Sequence, residues 1–181
     1  MPRLSRSEWY DLTRDMNWDL SYVSEDEAFP PVLSNSFGVP AHDWWVWDEP
    51  YKITYTEYVH NQAGKDAGVY SVNNVLNRSH IFDNLEPGWK AAVIAHYGAI
   101  AVAEYQAGIG EARMGRFGRA AAWRNMATFG TLGETRHGQL QTYIPYQALA
   151  KEPRLDWAHK AYHTNEWGII AARHLFDDMF T

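Results

Sequence analysis

The chain has 181 residues, of which 46% are hydrophobic and 21% charged, the balance of an ordinary globular protein. Its formal charge of −6 and the scattered positions of its 16 Lys and Arg exclude the dense basic face that nucleic acid binding needs. There is no cysteine, which excludes disulfides and thiolate metal ligands and is compatible with the reducing cytoplasm, where we expect the protein.

Neither an export signal nor a membrane span is predicted. The N-terminus lacks an apolar core of signal-peptide length, and the longest apolar-rich stretch, residues 91–107, contains His96 and Glu104. We therefore expect no membrane partner.

Residues 1–50 predict an irregular N-terminal arm. Short apolar clusters alternate with prolines and glycines in "FPPVLSNSFGVP" and "WDEP", a pattern typical of an extended segment. Five tryptophans are the expected anchors of this arm: Trp9, Trp18, Trp44, Trp45 and Trp47.

Residues 51–181 predict a helical half-bundle that carries one metal half-site. No useful stretch alternates between apolar and polar residues as a strand does, so the predicted fold class is all-α. The second predicted helix is apolar on almost all sides and should be buried. The four helices are expected at 51–78, 88–117, 121–150 and from about 155 to residue 181.

Two of these helices carry a pattern of metal ligands. Glu134 and His137 in "GETRHGQLQ" point to one side of a helix, and Glu104 lies among apolar residues in "HYGAIAVAEYQAG". With a turn near residue 119, both glutamates lie about 22 Å from it at about 1.5 Å per residue, so they come level in an antiparallel pair. A Glu on one helix and a Glu-x-x-His on its neighbour form half of a di-iron or di-manganese carboxylate site. A solvated Glu-His pair would show the same spacing, and the apolar setting of Glu104 and the matched heights leave the metal site and the solvated pair as equal alternatives.

Several segments give the sequence a specific resemblance. "WDEPYKITYTEYV", "HYGAIAVAEY", "RNMATFG", "ETRHGQLQ" and "HTNEWGIIAARHLFDDM" resemble the N-terminal part of the hydroxylase α subunit of bacterial multicomponent di-iron monooxygenases of the toluene and alkene type. The resemblance covers essentially the whole chain. It implies a ferritin-like helical bundle, a carboxylate-bridged di-iron centre, and insertion of one oxygen atom of dioxygen into an aromatic or alkene hydrocarbon, as in aromatic hydrocarbon catabolism.

The resemblance also implies roles for individual residues. It assigns the first iron to Glu104, Glu134 and His137, which act as ligands rather than as acid or base, with Glu134 as the bridging carboxylate. It places Gln141 at the access channel or behind the ligands. The remaining assigned residues line the substrate pocket, although their pattern alone predicts core packing: Ile100, Ala103, Ala107 and Phe176.

The implied partners are the other hydroxylase subunits, a small effector protein, a ferredoxin, a reductase that supplies electrons from NADH, and a small hydrophobic substrate. The chain departs from the family in two respects. It lacks the second Glu and Glu-x-x-His, and Gly133 stands where relatives usually carry an acid that supports a histidine of the other half-site.

Three arrangements agree with these observations. In the first, another segment or chain carries the remaining half of the α subunit and completes an oxidoreductase. In the second, a second copy of this chain completes the metal site symmetrically. The alternative is a non-catalytic scaffold or interaction subunit that descends from such an α subunit.

Overall fold

A computed structural model describes residues 3–14, 24, 27, 49–118, 120–148, 153, 159–165 and 167–180. Within these ranges there is no strand, and the predicted all-α fold class is confirmed. The helices are α1 (Arg6–Arg14), α2 (Tyr55–Ser79), α3 (Ile81–Asn84), α4 (Pro87–Phe117), α5 (Ala121–Ala148), a 3-10 helix (His159–His163) and α6 (Trp167–Phe180). None of them combines the length and the apolar character that crossing a bilayer requires.

The predicted N-terminal arm contains helix α1. Its start is capped reciprocally, because the amide of Glu8 donates to Ser5 Oγ at 3.3 Å and the amide of Ser5 donates to Glu8 Oε2 at 2.7 Å. Tyr10 is 3% exposed, whereas Trp9 is 55% exposed, and the role of Trp9 as an anchor of the arm stays a prediction. The other expected anchors lie outside the described residues: Trp18, Trp44, Trp45 and Trp47.

Helix α2 begins four residues later than predicted. The Glu49 carboxylate accepts hydrogen bonds from the amides of Tyr51 at 2.6 Å and Ile53 at 3.1 Å. Lys52 has a left-handed φ of 48°, so the chain makes a turn here rather than a helix. Thr54 then caps α2 by accepting the amide hydrogen bond of Glu57 at 3.4 Å.

The connection between α4 and α5 lies where the sequence predicts it. Only glycine fits at position 118, because a Cβ there would lie 2.6 Å from the Trp123 ring and 2.7 Å from the Met114 carbonyl oxygen. Arg124 donates to the Gly118 carbonyl at 2.8 Å and closes the turn. Helix α5 continues through Pro145 to Ala148, so the proline does not end it.

The predicted fourth helix is two elements, the 3-10 helix and α6, with Thr164 and Asn165 outside both. Tyr162 is 3% exposed and its hydroxyl donates to Gln106 Oε1 on α4. Arg173 on α6 donates to the Tyr162 carbonyl at 3.3 Å. Tyr162 thus joins the 3-10 helix to α4, and Arg173 joins it to α6, and helical periodicity alone does not reveal these contacts.

The chain divides into two compact units. One comprises Met1–Asn61 and Glu111–Gly130, and the other comprises Gln62–Gly110 and Thr131–Thr181. The predicted metal ligands all belong to the second unit. The division into an arm of residues 1–50 and a half-bundle of residues 51–181 stays a prediction.

Candidate metal centre

The three predicted ligands come from the middle of two long helices. Glu104 lies on α4, while Glu134 and His137 lie about one turn apart on α5. One donor atom from each side chain lies within 4.8 Å of the other two. The expectation that these residues come level on neighbouring helices agrees with this geometry, and their binding of a metal stays a prediction.

Glu104 and His137 are in direct contact. The imidazole Nδ1 lies 3.0 Å from the carboxylate Oε1, a hydrogen-bonding distance. The Glu104 side chain is only 17% exposed, whereas that of His137 is 49% exposed. Glu134 is half-buried. The group is therefore sheltered on the Glu104 side and open on the His137 side.

Two glycines lie against the ligands. A Cβ added to Gly108 on α4 would lie 3.4 Å from the Cβ of Glu134, and one added to Gly138 on α5 would lie 3.7 Å from the Cβ of Glu104. Each glycine follows a ligand glutamate by four residues, so E-x-x-x-G occurs at both ligands, as it also does at Glu111 and Gly115. Sequence reasoning missed this repeat, although the spacing alone could have indicated that each glutamate packs beside a small residue.

Gln141 contacts the other ring nitrogen of His137. Its carboxamide Nε2 lies 3.1 Å from His137 Nε2, one helical turn along α5. Within the described part of the chain, the buried Gln141 Oε1 has no hydrogen-bond partner. The imidazole is thus held between Glu104 at Nδ1 and Gln141 at Nε2.

The donor set suits a divalent transition metal. Two carboxylates and one imidazole are ligands that iron, manganese and zinc accept. Two ionised carboxylates less than 5 Å apart repel each other by roughly 3 kcal/mol at an effective dielectric constant of about 20. A cation between them replaces this repulsion with attraction, so the residues present fit a metal ion.

The residues assigned to a substrate pocket are all half-buried. Ile100, Ala103 and Ala107 lie on α4 at helical spacing, on the face that also carries Glu104. Phe176 lies on α6. Their lining of a pocket stays a prediction.

Gly133 differs from the two glycines at the site. It is half-buried, and a Cβ at this position would meet no atom within 4 Å. Packing therefore does not require glycine immediately before Glu134, and the local space would admit a side chain.

Comparison with known proteins gives consistent matches. The family model for methane, phenol and alkene hydroxylases matches residues 18–181. The chain is 38% identical over 179 residues to the alkene monooxygenase system oxygenase component subunit alpha of Xanthobacter autotrophicus, an alignment that covers 99% of this chain and 36% of that protein. It is 29% identical over 172 residues to the phenol 2-monooxygenase oxygenase component DmpN of Pseudomonas sp., covering 94% and 32%. The chain therefore spans about a third of the length of these relatives.

Proposed function

Because this chain belongs to the methane, phenol and alkene hydroxylase family, we propose that it supplies half of the ligands of a di-iron centre in a monooxygenase oxygenase component. The observation that carries the proposal is the approach of Glu104, Glu134 and His137 within 4.8 Å of one another. The two carboxylates would supply oxygen ligands, and His137 would supply a nitrogen ligand. Glu134 is the proposed bridging ligand.

The remaining ligands come from elsewhere in this proposal. A ferritin-like di-iron site takes a Glu from each of two helices and a Glu-x-x-His from each of two others. Helices α4 and α5 supply one Glu and one Glu-x-x-His. Another segment or another chain with the same pattern would complete the set.

A complete di-iron centre activates dioxygen, so that one oxygen atom can enter an aromatic or alkene hydrocarbon. In this proposal the chain holds the metal and forms part of an apolar pocket beside it. Ile100, Ala103 and Ala107 continue the Glu104 face of α4, where apolar side chains would bind a small hydrocarbon and exclude water. Phe176 contributes from α6 in this proposal.

The names of the alkene and phenol monooxygenase relatives describe them as oxygenase components. We accordingly propose that the chain works with other hydroxylase subunits, an effector protein, and a ferredoxin and reductase that deliver electrons from NADH.

The first test is anaerobic titration of the chain with ferrous iron. The Glu104→Gln and His137→Gln variants should bind at least tenfold more weakly than the wild type, because each removes a ligand. Glu86→Gln and His96→Gln are the matched controls, since both residues are exposed and lie outside the group. Equal affinity in all five proteins would contradict the proposal.

The second test adds a polypeptide that carries a second Glu and Glu-x-x-His and measures dioxygen-dependent product. Product that depends on both polypeptides supports the completed centre. A chain that acquires no ferrous iron even with this addition would be a scaffold instead.

A further inference from the structure

Tyr162 lies where the 3-10 helix meets α4. The residue is 3% exposed, and its hydroxyl donates a hydrogen bond to Gln106 Oε1. Gln106 follows Ala103 by about one helical turn on α4 and directly precedes Ala107, so it borders the face that carries the assigned pocket residues. Tyr162 is therefore anchored to α4 at the edge of the proposed substrate pocket.

Tyr162 also interacts with α6. The Arg173 guanidinium donates to the Tyr162 carbonyl at 3.3 Å and to Asn165 Oδ1 at 3.4 Å. The negative charge of Asp177 acts on the phenol of Tyr162, since it disfavours ionisation of the hydroxyl and raises its pKa. Phe176 lies about one turn after Arg173 and directly before Asp177. The α6 residue that is assigned to the pocket thus lies between two residues that interact with Tyr162.

The phenol of Tyr162 is a stable hydrogen-bond donor at neutral pH. Desolvation by burial raises its pKa above the ordinary value of 10.0, and Asp177 raises it further, while the Gln106 hydrogen bond and Arg173 act in the opposite direction. The hydroxyl therefore keeps its proton and can donate it to the Gln106 hydrogen bond. Because a tyrosine has only two side-chain torsions, it fixes the spacing between its hydroxyl and its backbone more closely than a flexible side chain does.

We propose that Tyr162 is a positioning residue that sets the spacing between the α4 and α6 walls of the substrate pocket, and so the size of the hydrocarbon that the pocket accepts. Gln106 holds the hydroxyl end of this spacer, and Arg173 holds its backbone end. Without the hydrogen bond to Gln106, α6 and Phe176 can move relative to α4, and a larger hydrocarbon can enter. This inference rests on the proposed function, which supplies the pocket.

Competition between two hydrocarbons tests the size selection. The chain, combined with a polypeptide that carries a second Glu and Glu-x-x-His, receives equal amounts of a small and a large substrate, either toluene with naphthalene or propene with 1-octene. The product ratio reports the ratio of the two kcat/KM values and does not depend on how much of a variant is folded. We expect Tyr162→Phe and Gln106→Leu each to shift this ratio at least about threefold toward the larger product, because a loosened pocket discriminates less by size.

Tyr105→Phe is the matched control, because it removes an exposed hydroxyl from the residue next to Gln106. It should keep the wild-type ratio. The double variant Tyr162→Phe/Gln106→Leu should shift the ratio no further than either single variant, because both changes remove the same hydrogen bond. An unchanged ratio in Tyr162→Phe and Gln106→Leu, a shift toward the smaller product, or the same shift in Tyr105→Phe would overturn the inference.

The position of Phe176 can be followed without metal or turnover. In the chain labelled with 4-fluorophenylalanine, ¹⁹F NMR reports on the phenylalanine rings, and the Phe176→Leu variant identifies the Phe176 signal. We expect Gln106→Leu to move or broaden this signal, and Gln139→Leu, the same replacement at an exposed position on α5, to leave it unchanged. Circular dichroism confirms that each variant folds, and the Tyr162→Phe competition decides the matter if Gln106→Leu does not fold.

The two measurements separate this inference from the proposed function. If the wild-type assembly forms product and neither the product ratio nor the Phe176 signal responds to Gln106→Leu, the inference fails and the proposed function stands. If the Phe176 signal responds but the wild-type assembly forms no product, the proposed function fails and the size selection fails with it. The link from Gln106 through Tyr162 to Phe176 then stands as a structural contact alone.

Discussion

Gly138 on α5 lies directly against Glu104 on α4: a Cβ added to the glycine would lie 3.7 Å from the glutamate Cβ and 3.5 Å from the Ala101 carbonyl oxygen. Gly108 lies against Glu134 in the reciprocal way, at 3.4 Å. These are ordinary van der Waals distances, so a methyl group fits at either position, and we expect a larger side chain to overpack the contact. The two glycines therefore set how closely the ligand-bearing segments approach each other.

The effect of replacing Gly138 should depend on the size of the new side chain. Gly138→Ala should change the free energy of unfolding by no more than about 1 kcal/mol, because its methyl fits and alanine favours helix. Gly138→Val should destabilise by about 1–3 kcal/mol through overpacking and should weaken ferrous iron binding at least tenfold. Urea unfolding and iron titration measure both effects.

Gly133→Val is the matched control for this comparison. It makes the same replacement on the same helix at a position where an added Cβ meets nothing within 4 Å. We expect it to leave both stability and iron affinity near the wild-type values. Equal losses in Gly133→Val and Gly138→Val would show that valine disturbs α5 generally and that the contact with Glu104 is unimportant.

The parts of the structure that follow from the sequence are those that local chemistry determines. The α4 and α5 boundaries are marked by Pro87 and by the glycine at the turn, and both helices lie within two residues of the prediction where they are described. That Glu104 and Glu134 come level follows from counting residues along two helices from one turn. Because the rise per residue of a helix is nearly constant, the number of residues from the turn predicts the height of each side chain along its helix.

The parts that do not follow depend on contacts between side chains and distant groups. The late start of α2 reflects the Glu49 carboxylate, which accepts two backbone amides, and the left-handed turn at Lys52. The separate 3-10 helix depends on Tyr162 packing against α4. Periodicity reports which face of a helix is apolar, but it carries no information about such pairings.

Iron binding should raise thermal stability. A ligand at about 100 times its Kd stabilises the folded state by about 2.7 kcal/mol if it does not bind the unfolded chain. For a protein of this size that corresponds to a rise in Tm of roughly 5–10 °C. Anaerobic thermal unfolding with saturating ferrous iron measures the shift, and a chelator should reverse it.

Glu134→Gln should lose most of this rise, because the variant lacks one of the two carboxylate ligands. Exposed Glu86→Gln should keep it. A rise that persists unchanged in Glu134→Gln would place the iron somewhere other than the proposed group.

Two asparagines that share one acceptor should differ in their contribution to stability. Gln147 Oε1 on α5 accepts from Asn73 at 2.6 Å and from Asn77 at 2.7 Å, both on α2. Asn73 is 7% exposed, whereas Asn77 is exposed to solvent. We expect Asn73→Ala to cost about 1–2 kcal/mol and Asn77→Ala less than about 0.5 kcal/mol, because water replaces only the exposed bond. Urea unfolding of both variants measures the difference, and equal costs would contradict the assignment.

Partial burial of the Glu111 carboxyl group should make the stability of the folded chain depend on pH. A Cβ at Gly130 would lie 2.6–3.0 Å from the carboxyl atoms of Glu111, so this carboxyl group packs against the glycine backbone of α5. Desolvation by burial raises the pKa of Glu111 above its ordinary value of 4.5. The folded chain therefore binds this proton more tightly than the unfolded chain does.

The sign of the effect follows from that difference in proton binding. As pH rises from 4.5 through the raised pKa of Glu111, the unfolded state loses the proton first, so this group lowers stability progressively and its cost persists at neutral pH. Glu111→Gln keeps the shape and removes the charge, so its Tm should match the wild type near pH 4 and exceed it at pH 7. Exposed Glu86→Gln should show no such growth with pH. If the Tm of Glu111→Gln exceeded that of the wild type most at pH 4, the prediction would be contradicted. Such a result would mean that folding stabilises the ionised carboxylate, which is the opposite of what burial implies.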